Sequence, residues 1–329
     1  MNLFVYKNKS AFVQNDIDIL KARYNIKKYR YNSSKKFLRT LINQFKLLIW
    51  LISNFKHKNK KIFIWFAEYH SLLPTVLGKI YCTKTYLVIG GYDIANIPEW
   101  DYGALSKFSS SFYSKLSIKL AYICLPVSKY IKRKTLQEMG YVKTEVIYNG
   151  TNLKMLDDNF KKENIFLTAA KCNSEKRLKI KGMDIFIKLA HNLPNYRFIA
   201  IGIPKNIQKY LHPIPDNLII LEPIPLKKLV KYYKRSKFYC QLSRVEAFGI
   251  AVLESLCYHT IPIVSNQGAL PELYSEVGLV VDIKDTKKMI DRIKSNIGSL
   301  SFSKNKASKL ISKYNIKNRA NKLYKVIGR

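Results

Sequence analysis

"FYCQLSRVEAFGIAVLESLCYHTIPIVSN", residues 238–266, passes from strand to loop to helix to strand. FYCQLS (238–243) and IPIVSN (261–266) are short apolar runs that close on polar residues, and a helical pattern at 248–258 lies between them. On that helix Ile250, Leu253, Glu254 and Cys257 follow the i, i+3, i+4, i+7 spacing of a buried face. A carboxylate on such a stripe is costly unless something hydrogen-bonds it. Glu254 therefore needs a partner. One answer is a buried Lys or Arg; the other is a ligand with vicinal hydroxyls, such as a ribose diol. Glu246 stands eight residues earlier, in the loop where the strand ends, and parallel sheets bind their ligands beyond the carboxyl ends of their strands. Phe248–Gly249 open the helix, whose free N–H groups and partial positive charge suit a phosphate; Gly249 has no side chain to block that approach.

The alternation continues on both sides. Apolar runs stand at IFLTAA (165–170), RFIAIGI (197–203), NLIILEPI (217–224) and GLVVD (278–282), with helical patterns at 183–193, 226–235 and 284–297. Strands alternating with helices argue a parallel sheet covered on both faces. The first half repeats the theme at LFVY (3–6), KIFIWFA (61–67), TYLVIGG (85–91), YICLPVS (122–128) and EVIYNG (145–150). Two such sheets predict an α/β chain of two Rossmann-like domains facing across a cleft. The polar DDNFKKEN (157–164) is the natural linker and sets the domains at 1–157 and 158–302. A basic helix over roughly 303–326 occupies the last segment, 303–329, and is expected to cross back to the first domain.

Composition narrows the setting. The 329 residues carry 58 Lys+Arg against 22 Asp+Glu, a formal charge of +36, which points to a polyanionic surrounding: a membrane face, nucleic acid or phosphorylated substrates. The basic residues are scattered, and no helix-turn-helix, zinc-finger or RNP motif is visible, so nucleic acid is not expected as a partner. The 5 cysteines are far apart and without Cys-x-x-Cys, which predicts reduced thiols, no zinc and a cytoplasmic compartment. MNLFVYKNKS turns polar too soon for a signal peptide. In FLRTLINQFKLLIWLISNF (37–55), Arg39, Asn43, Gln44 and Lys46 leave an apolar core too short to span a bilayer. Leu38, Leu41, Ile42, Phe45, Leu48, Ile49 and Ile52 share one helical face. Such a stripe ordinarily packs on a sheet. The other reading is a helix lying on an anionic membrane, with Lys35, Lys36, Lys56, Lys58, Lys60 and Lys61 at its ends.

"LSRVEAFGIAVLESLCYHTIPIVSNQGALPEL" (242–273) resembles the signature of retaining glycosyltransferases of the group 1 or family 4 type, which have the GT-B fold of two Rossmann-like domains. The matching parts are Leu242-Ser243, Glu246-Ala247-Phe248-Gly249, Glu254, Ile261-Pro262-Ile263-Val264 and Gly268-Ala269-Leu270-Pro271-Glu272, over about thirty positions. The resemblance implies that Glu246 contacts the donor sugar and that Glu254 binds the nucleotide ribose, with Phe248 and Gly249 beside it. It also implies a basic pair on the first strand–helix loop of the second domain, neutralising the leaving diphosphate. Lys181-Gly182 matches one element; Lys171 and Arg177 share the other role. In the first half, Ser128, Asn149 and Gly150 match, but Asn152 replaces an Asp and FVYKNKSAFVQND offers no Gly-rich loop. At two strand ends there, Glu68-Tyr69-His70 and Gly90-Gly91-Tyr92-Asp93, the family often has a His at the second. Gly91 stands in that place, leaving His70 and Asp93 as polar candidates to line the site.

The implied reaction moves a sugar from a UDP or GDP donor to a glycan or lipid-linked acceptor with retention, in cell-surface polysaccharide or glycolipid synthesis. No metal or separate cofactor is implied, because the cations and the helix start stabilise the diphosphate. Front-face attack, in which the leaving phosphate takes the acceptor proton, leaves no protein nucleophile to name. The alternative is a basic nucleic-acid- or membrane-binding protein that uses the same fold as a non-catalytic scaffold. The expected location is the cytoplasm, peripheral to the inner face of a membrane.

Overall fold

A computed structural model of the chain describes residues 2–34, 36–55, 60–158 and 160–328. The chain divides into two compact units, Met1–Gly150 with Ile316–Arg329, and Thr151–Asn315. The first carries a five-stranded sheet in the order β2-β1-β3-β4-β5, made of β1 (Asn2–Tyr6), β2 (Ile26–Arg30), β3 (Lys61–Trp65), β4 (Lys84–Ile89) and β5 (Ile123–Pro126). The second carries a six-stranded sheet in the order β11-β10-β9-β6-β7-β8, from β6 (Glu163–Ala169), β7 (Arg197–Ile201), β8 (Leu218–Leu221), β9 (Ser236–Gln241), β10 (Ile261–Ser265) and β11 (Leu279–Val281). All the strand pairs are parallel.

Helices cover both faces of such sheets, so central strands are apolar without alternation. Leu3–Val5, Ile62–Trp65 and Tyr86–Ile89 are buried residue after residue. In the second sheet Phe166 is in register with Phe198 and Phe238, and its ring stacks on both at 4.7 Å. A one-residue slip would turn the stack to the opposite face. Each sheet has one place where the strand order reverses: between β1 and β3, and between β6 and β9. Ligand crevices form there, beyond the carboxyl ends.

Several elements differ from expectation. β2, IKKYR, was not expected, because an edge strand with Lys27, Lys28 and Arg30 in water has no apolar run to announce it. EVIYNG forms no regular strand; it follows β5 through Glu145 N–H to the Cys124 carbonyl and Ile147 N–H to the Pro126 carbonyl, both 3.0 Å. The terminal segment is two helices, Lys304–Lys313 and Ile316–Gly328, with the boundary between units at their junction. Within the first unit, Arg319 grips buried Asp16 through Nε (2.6 Å) and Nη2 (2.7 Å). Its Nη1 donates to the carbonyls of Ile147 and Tyr148, and the Trp65 indole donates to Asp16 at 2.7 Å.

Helix Phe37–Asn54 corrects the expectation of a core helix. Leu38, Leu41, Ile42, Phe45, Ile49 and Ile52 are exposed and Leu48 is half-buried. The helix packs instead through Asn43, Leu47, Leu51 and Asn54. The two Asn side chains bond to backbone carbonyls of Asn32 and Trp50, which is how a polar pair serves as the inner face. Of the expected flanking lysines, Lys36 is exposed, Lys60 is buried, and Lys61 donates to the Ile327 carbonyl. Lys35, Lys56 and Lys58 lie outside the described residues.

Candidate active site at the carboxyl edge of the second sheet

After β6 the chain runs through exposed Lys171 and buried Cys172 into helix Glu175–Ile180. Ser174 caps it, its hydroxyl accepting from Arg177 N–H. The helix stops at Lys181, and Gly182, with φ at 71°, starts helix Met183–Asn192. Gly182 is required twice over. Its φ is one that L side chains seldom adopt, and a Cβ there would stand 2.0 Å from the Leu242 carbonyl oxygen. That contact brings the Lys181 turn against the loop leaving β9. Arg244 fastens the two: its N–H donates to the Ile180 carbonyl (2.8 Å), and its guanidinium takes the Asp184 carboxylate with two bonds of 2.8 Å. Such paired charge-assisted bonds fix direction as well as distance.

The loop and the turn thereby bring Lys181 Nζ to 2.7 Å from Glu246 Oε2. A second donor, Gln241 Nε2, lies 3.2 Å from the same oxygen, and Ala247 N–H bonds to Oε1. Burial alone would push the Glu246 carboxyl up. Lys181 and the N–H groups of Ala247 and Phe248 outweigh it and hold the pKa below the usual carboxylate range. An isolated cation just before a helix start is unfavourable; here Glu246 supplies the anion.

Glu254 lies on helix Ile250–Leu256, half-buried, and among the described residues no Lys or Arg pairs with it. Burial pushes its carboxyl up to about 7. The buried Tyr233 hydroxyl draws it part of the way back, yet makes no hydrogen bond of regular geometry. Of the two glutamates on this loop and helix, the one matched by a lysine is thus Glu246, and Glu254 is left ready to accept donors.

Other expected residues fall in less direct places. Arg177 is half-buried, and burial raises the Cys172 thiol to about 11, with Lys181 and Arg177 drawing it only part of the way back. The Phe248 side chain is 3% exposed and packs on Tyr314, so only its backbone faces Glu246. Gly249 (φ 76°) would direct a Cβ to within 2.9 Å of Leu270, so the absent side chain makes room for the core. His70 corrects an expectation too. It is fully buried, with Nε2 at 2.8 Å from the Trp65 carbonyl and its ring stacked on Tyr31, and burial lowers its pKa. An imidazole so enclosed lines no open site. Gly91 and Gly90 donate their N–H groups to buried Asp93, as does Ala67; burial raises the Asp93 carboxyl to about 7 against those bonds. Among the described residues no three of His, Cys, Asp and Glu converge as a metal site.

Sequence reasoning missed Arg244, Asp184 and Gln241. The available signal was Asp184 in the first turn of a helix with Arg244 two residues before Glu246, but only the fold puts them together. It also missed Lys7, which forms a 2.6 Å ion pair with Glu68 of the Glu68-Tyr69-His70 cluster at the carboxyl edge of the first sheet.

Residues 157–318 match the model of the family described as Glycosyl transferases group 1. No curated protein matches the sequence. Among solved structures, the chain is similar to sucrose-phosphate synthase from Thermosynechococcus elongatus (TM-score 0.74, 14% identity, 99% of this chain and 97% of that one). It is similar to a glycosyltransferase from Rickettsia africae (TM-score 0.70, 16% identity, 99% and 97%). It is also similar to HepE from Anabaena in complex with UDP and glucose (TM-score 0.72, 14% identity, 100% and 99%). At such identities the likeness is one of fold: two Rossmann-like α/β domains of the GT-B type.

Proposed function

The chain belongs to the group 1 glycosyltransferases, and we propose that it moves a sugar from a nucleoside diphosphate to an acceptor hydroxyl with retention of configuration. The observation that carries this reading is the Lys181–Glu246 pair, held at 2.7 Å at the strand-order reversal of the second sheet. In the resting protein each charge compensates the other. An arriving diphosphate takes over Lys181, with Arg177 as the second cation, and frees Glu246 to accept from the sugar hydroxyls. Preorganised cations of this kind stabilise charge as it develops on the leaving group. Glu254, with its pKa near 7, accepts the ribose diol in its ionised form, so nucleotide uptake releases a proton at neutral pH. The HepE complex with UDP and glucose supports a uridine donor; a guanosine donor is the alternative. The acceptor is a cell-surface glycan or its lipid-linked precursor, reached from the cytoplasmic face of a membrane.

Thermal-shift screening of UDP-sugars against GDP-sugars tests the donor, since a ligand at a hundred times its Kd adds about 2.7 kcal/mol to stability. Calorimetry of the bare nucleotide in buffers of different ionisation enthalpy tests the proton release. Turnover that persists in chelator is expected, because the protein supplies its own cations. No shift with any nucleotide would sink the reading.

A further inference from the structure

Among the described residues, the outward face of helix Phe37–Asn54 is an apolar stripe left uncovered. Leu38 is 70% and Phe45 63% exposed. At 3.6 residues per turn the exposed apolar residues form a single stripe, and Arg39 and Lys46, seven apart and both exposed, run along one border of it. A second helix, Phe108–Leu120, extends the patch. Phe108 (93% exposed), Phe112, Lys115 and Lys119 fall on one face at spacings of four, three and four. Tyr69 joins the two helices. Its carbonyl accepts from Gln44 Nε2 at 2.8 Å, its hydroxyl pairs with Ser109 Oγ at 2.8 Å, and its ring packs on Tyr113. Exposed apolar patches of this size mark interaction surfaces.

We propose that this surface docks on an anionic lipid leaflet, with helix Phe37–Asn54 lying in the plane of the interface. Charge complementarity selects the occupant. A second copy would bring another +36 against a face bordered by Arg39, Lys46, Lys115 and Lys119, whereas anionic headgroups neutralise those cations while the apolar side chains enter the acyl boundary. Among the described residues no helix is long and apolar enough to cross a membrane, so the contact is one of lying on the surface. Tyr69 follows the carboxyl end of β3 by four residues. The lipid face therefore adjoins the edge of the first sheet, where, on the transferase reading above, a lipid-anchored acceptor would be presented.

Co-sedimentation with phosphatidylcholine–phosphatidylglycerol vesicles tests the surface without depending on turnover. The intact chain should bind at low ionic strength, release at high salt, and bind pure phosphatidylcholine weakly. The Leu41→Asp/Phe45→Asp double variant should lose about tenfold or more in vesicle binding, with its circular dichroism and nucleotide-induced thermal shift unchanged. Should it fail to fold, Phe45→Ser serves the same comparison. Arg39→Gln/Lys46→Gln should weaken binding to the anionic vesicles by about fivefold per cation. Vesicle binding unchanged in the apolar variants overturns the proposal. So does a wild-type dimer in light scattering that Leu41→Asp/Phe45→Asp dissociates, which would make a second copy the occupant. A chain that binds vesicles but gives no nucleotide shift would overturn the transferase reading alone.

Discussion

Each sheet of this protein places a lysine–glutamate pair at its strand-order reversal: Lys7–Glu68 at 2.6 Å in the first unit, Lys181–Glu246 at 2.7 Å in the second. Both are partly buried, and both join residues more than sixty positions apart. The scaffolds differ. Lys181 and Glu246 sit on a turn and a loop clamped together by Gly182 against Leu242 and by Arg244 on Asp184, with Gln241 and Ala247 also bonded to the carboxylate. Lys7 simply follows β1, and Glu68 follows β3, its carbonyl accepting from Ser71. A charge pair that must change partners during a reaction needs the geometry around it fixed by other groups. The second pair has that support; the first has the form of an ion pair that closes a sheet edge.

The sharpest way to break this contrast is Lys181→Ala. Turnover of the donor should fall on the order of 100-fold, the usual cost of removing one preorganised charge donor. Glu246, without its cation, should titrate at a higher pH than before, as only Gln241 and the backbone N–H groups then oppose burial. Steady-state rates with a defined donor and acceptor measure the first effect. A rate within a few-fold of wild type would mean that the two edges do not differ in the way proposed.

Glu254→Gln sharpens the contrast through pH. The folded-state pKa of Glu254 is raised to about 7, so the folded protein holds a proton that the unfolded chain has released, and stability falls as pH rises from the ordinary carboxylate range to neutrality. For a half-buried group the loss is about 2 kcal/mol or less, discounting the full shift for solvent access. Buried Asp93 titrates in the same window, so the informative quantity is the difference between wild type and variant. Denaturant midpoints should converge at pH 5 and separate by pH 8, the Gln variant being the more stable. A nucleotide diphosphate should stabilise wild type more than the variant above neutrality. Parallel pH curves would remove Glu254 from the ribose role.

How the two halves could be read from sequence follows the same physics. In the second unit, a helix start behind a glycine, a carboxylate on an apolar stripe and a lysine before a helix all violate a local rule. Each marks a residue that the fold sets on the segments following β6 and β9. In the first unit no rule is broken at Lys7 or Glu68, so Glu68 stands out only by its place at a strand end and Lys7 not at all. His70 misled because a strand end predicts proximity to a crevice but not burial, and the Trp65 carbonyl holds it inside. The stripe on residues 37–54 was visible, but which face meets the core depends on Asn43 and Asn54 finding carbonyl partners. Periodicity cannot decide that.

Lys171→Ala and Arg177→Ala compare two cations between β6 and Lys181, one in the loop and one in helix Glu175–Ile180. Lys171 is exposed, while Arg177 is half-buried and shares with Lys181 an influence on the Cys172 thiol. Arg177→Ala should lower turnover by about tenfold, less than loss of Lys181, whose ammonium is the cation held on Glu246, and Lys171→Ala by less than about twofold, as for an exposed, screened charge. The reverse order would place the diphosphate nearer the carboxyl end of β6 than Lys181 implies.

The smallest effect should come from Lys7→Met, and it bears on stability. Removing the lysine leaves Glu68, 9% exposed, without its cation, a loss intermediate between exposed and buried pairs and about 1–2 kcal/mol. Pairing it with Glu68→Gln should restore most of that loss, because an unpartnered charge costs more than a missing pair. Urea midpoints of the single and double variants measure this directly. Affinity for the bare nucleotide should stay within about twofold, since on the proposed reading the cations that meet diphosphate, Lys181 and Arg177, belong to the second unit. If Lys7→Met weakens nucleotide binding as much as Lys181→Ala does, the first pair is part of the donor site and the two edges are functional equals. If the double variant is no more stable than the single, Glu68 has another donor, and the ion pair is not what closes this edge.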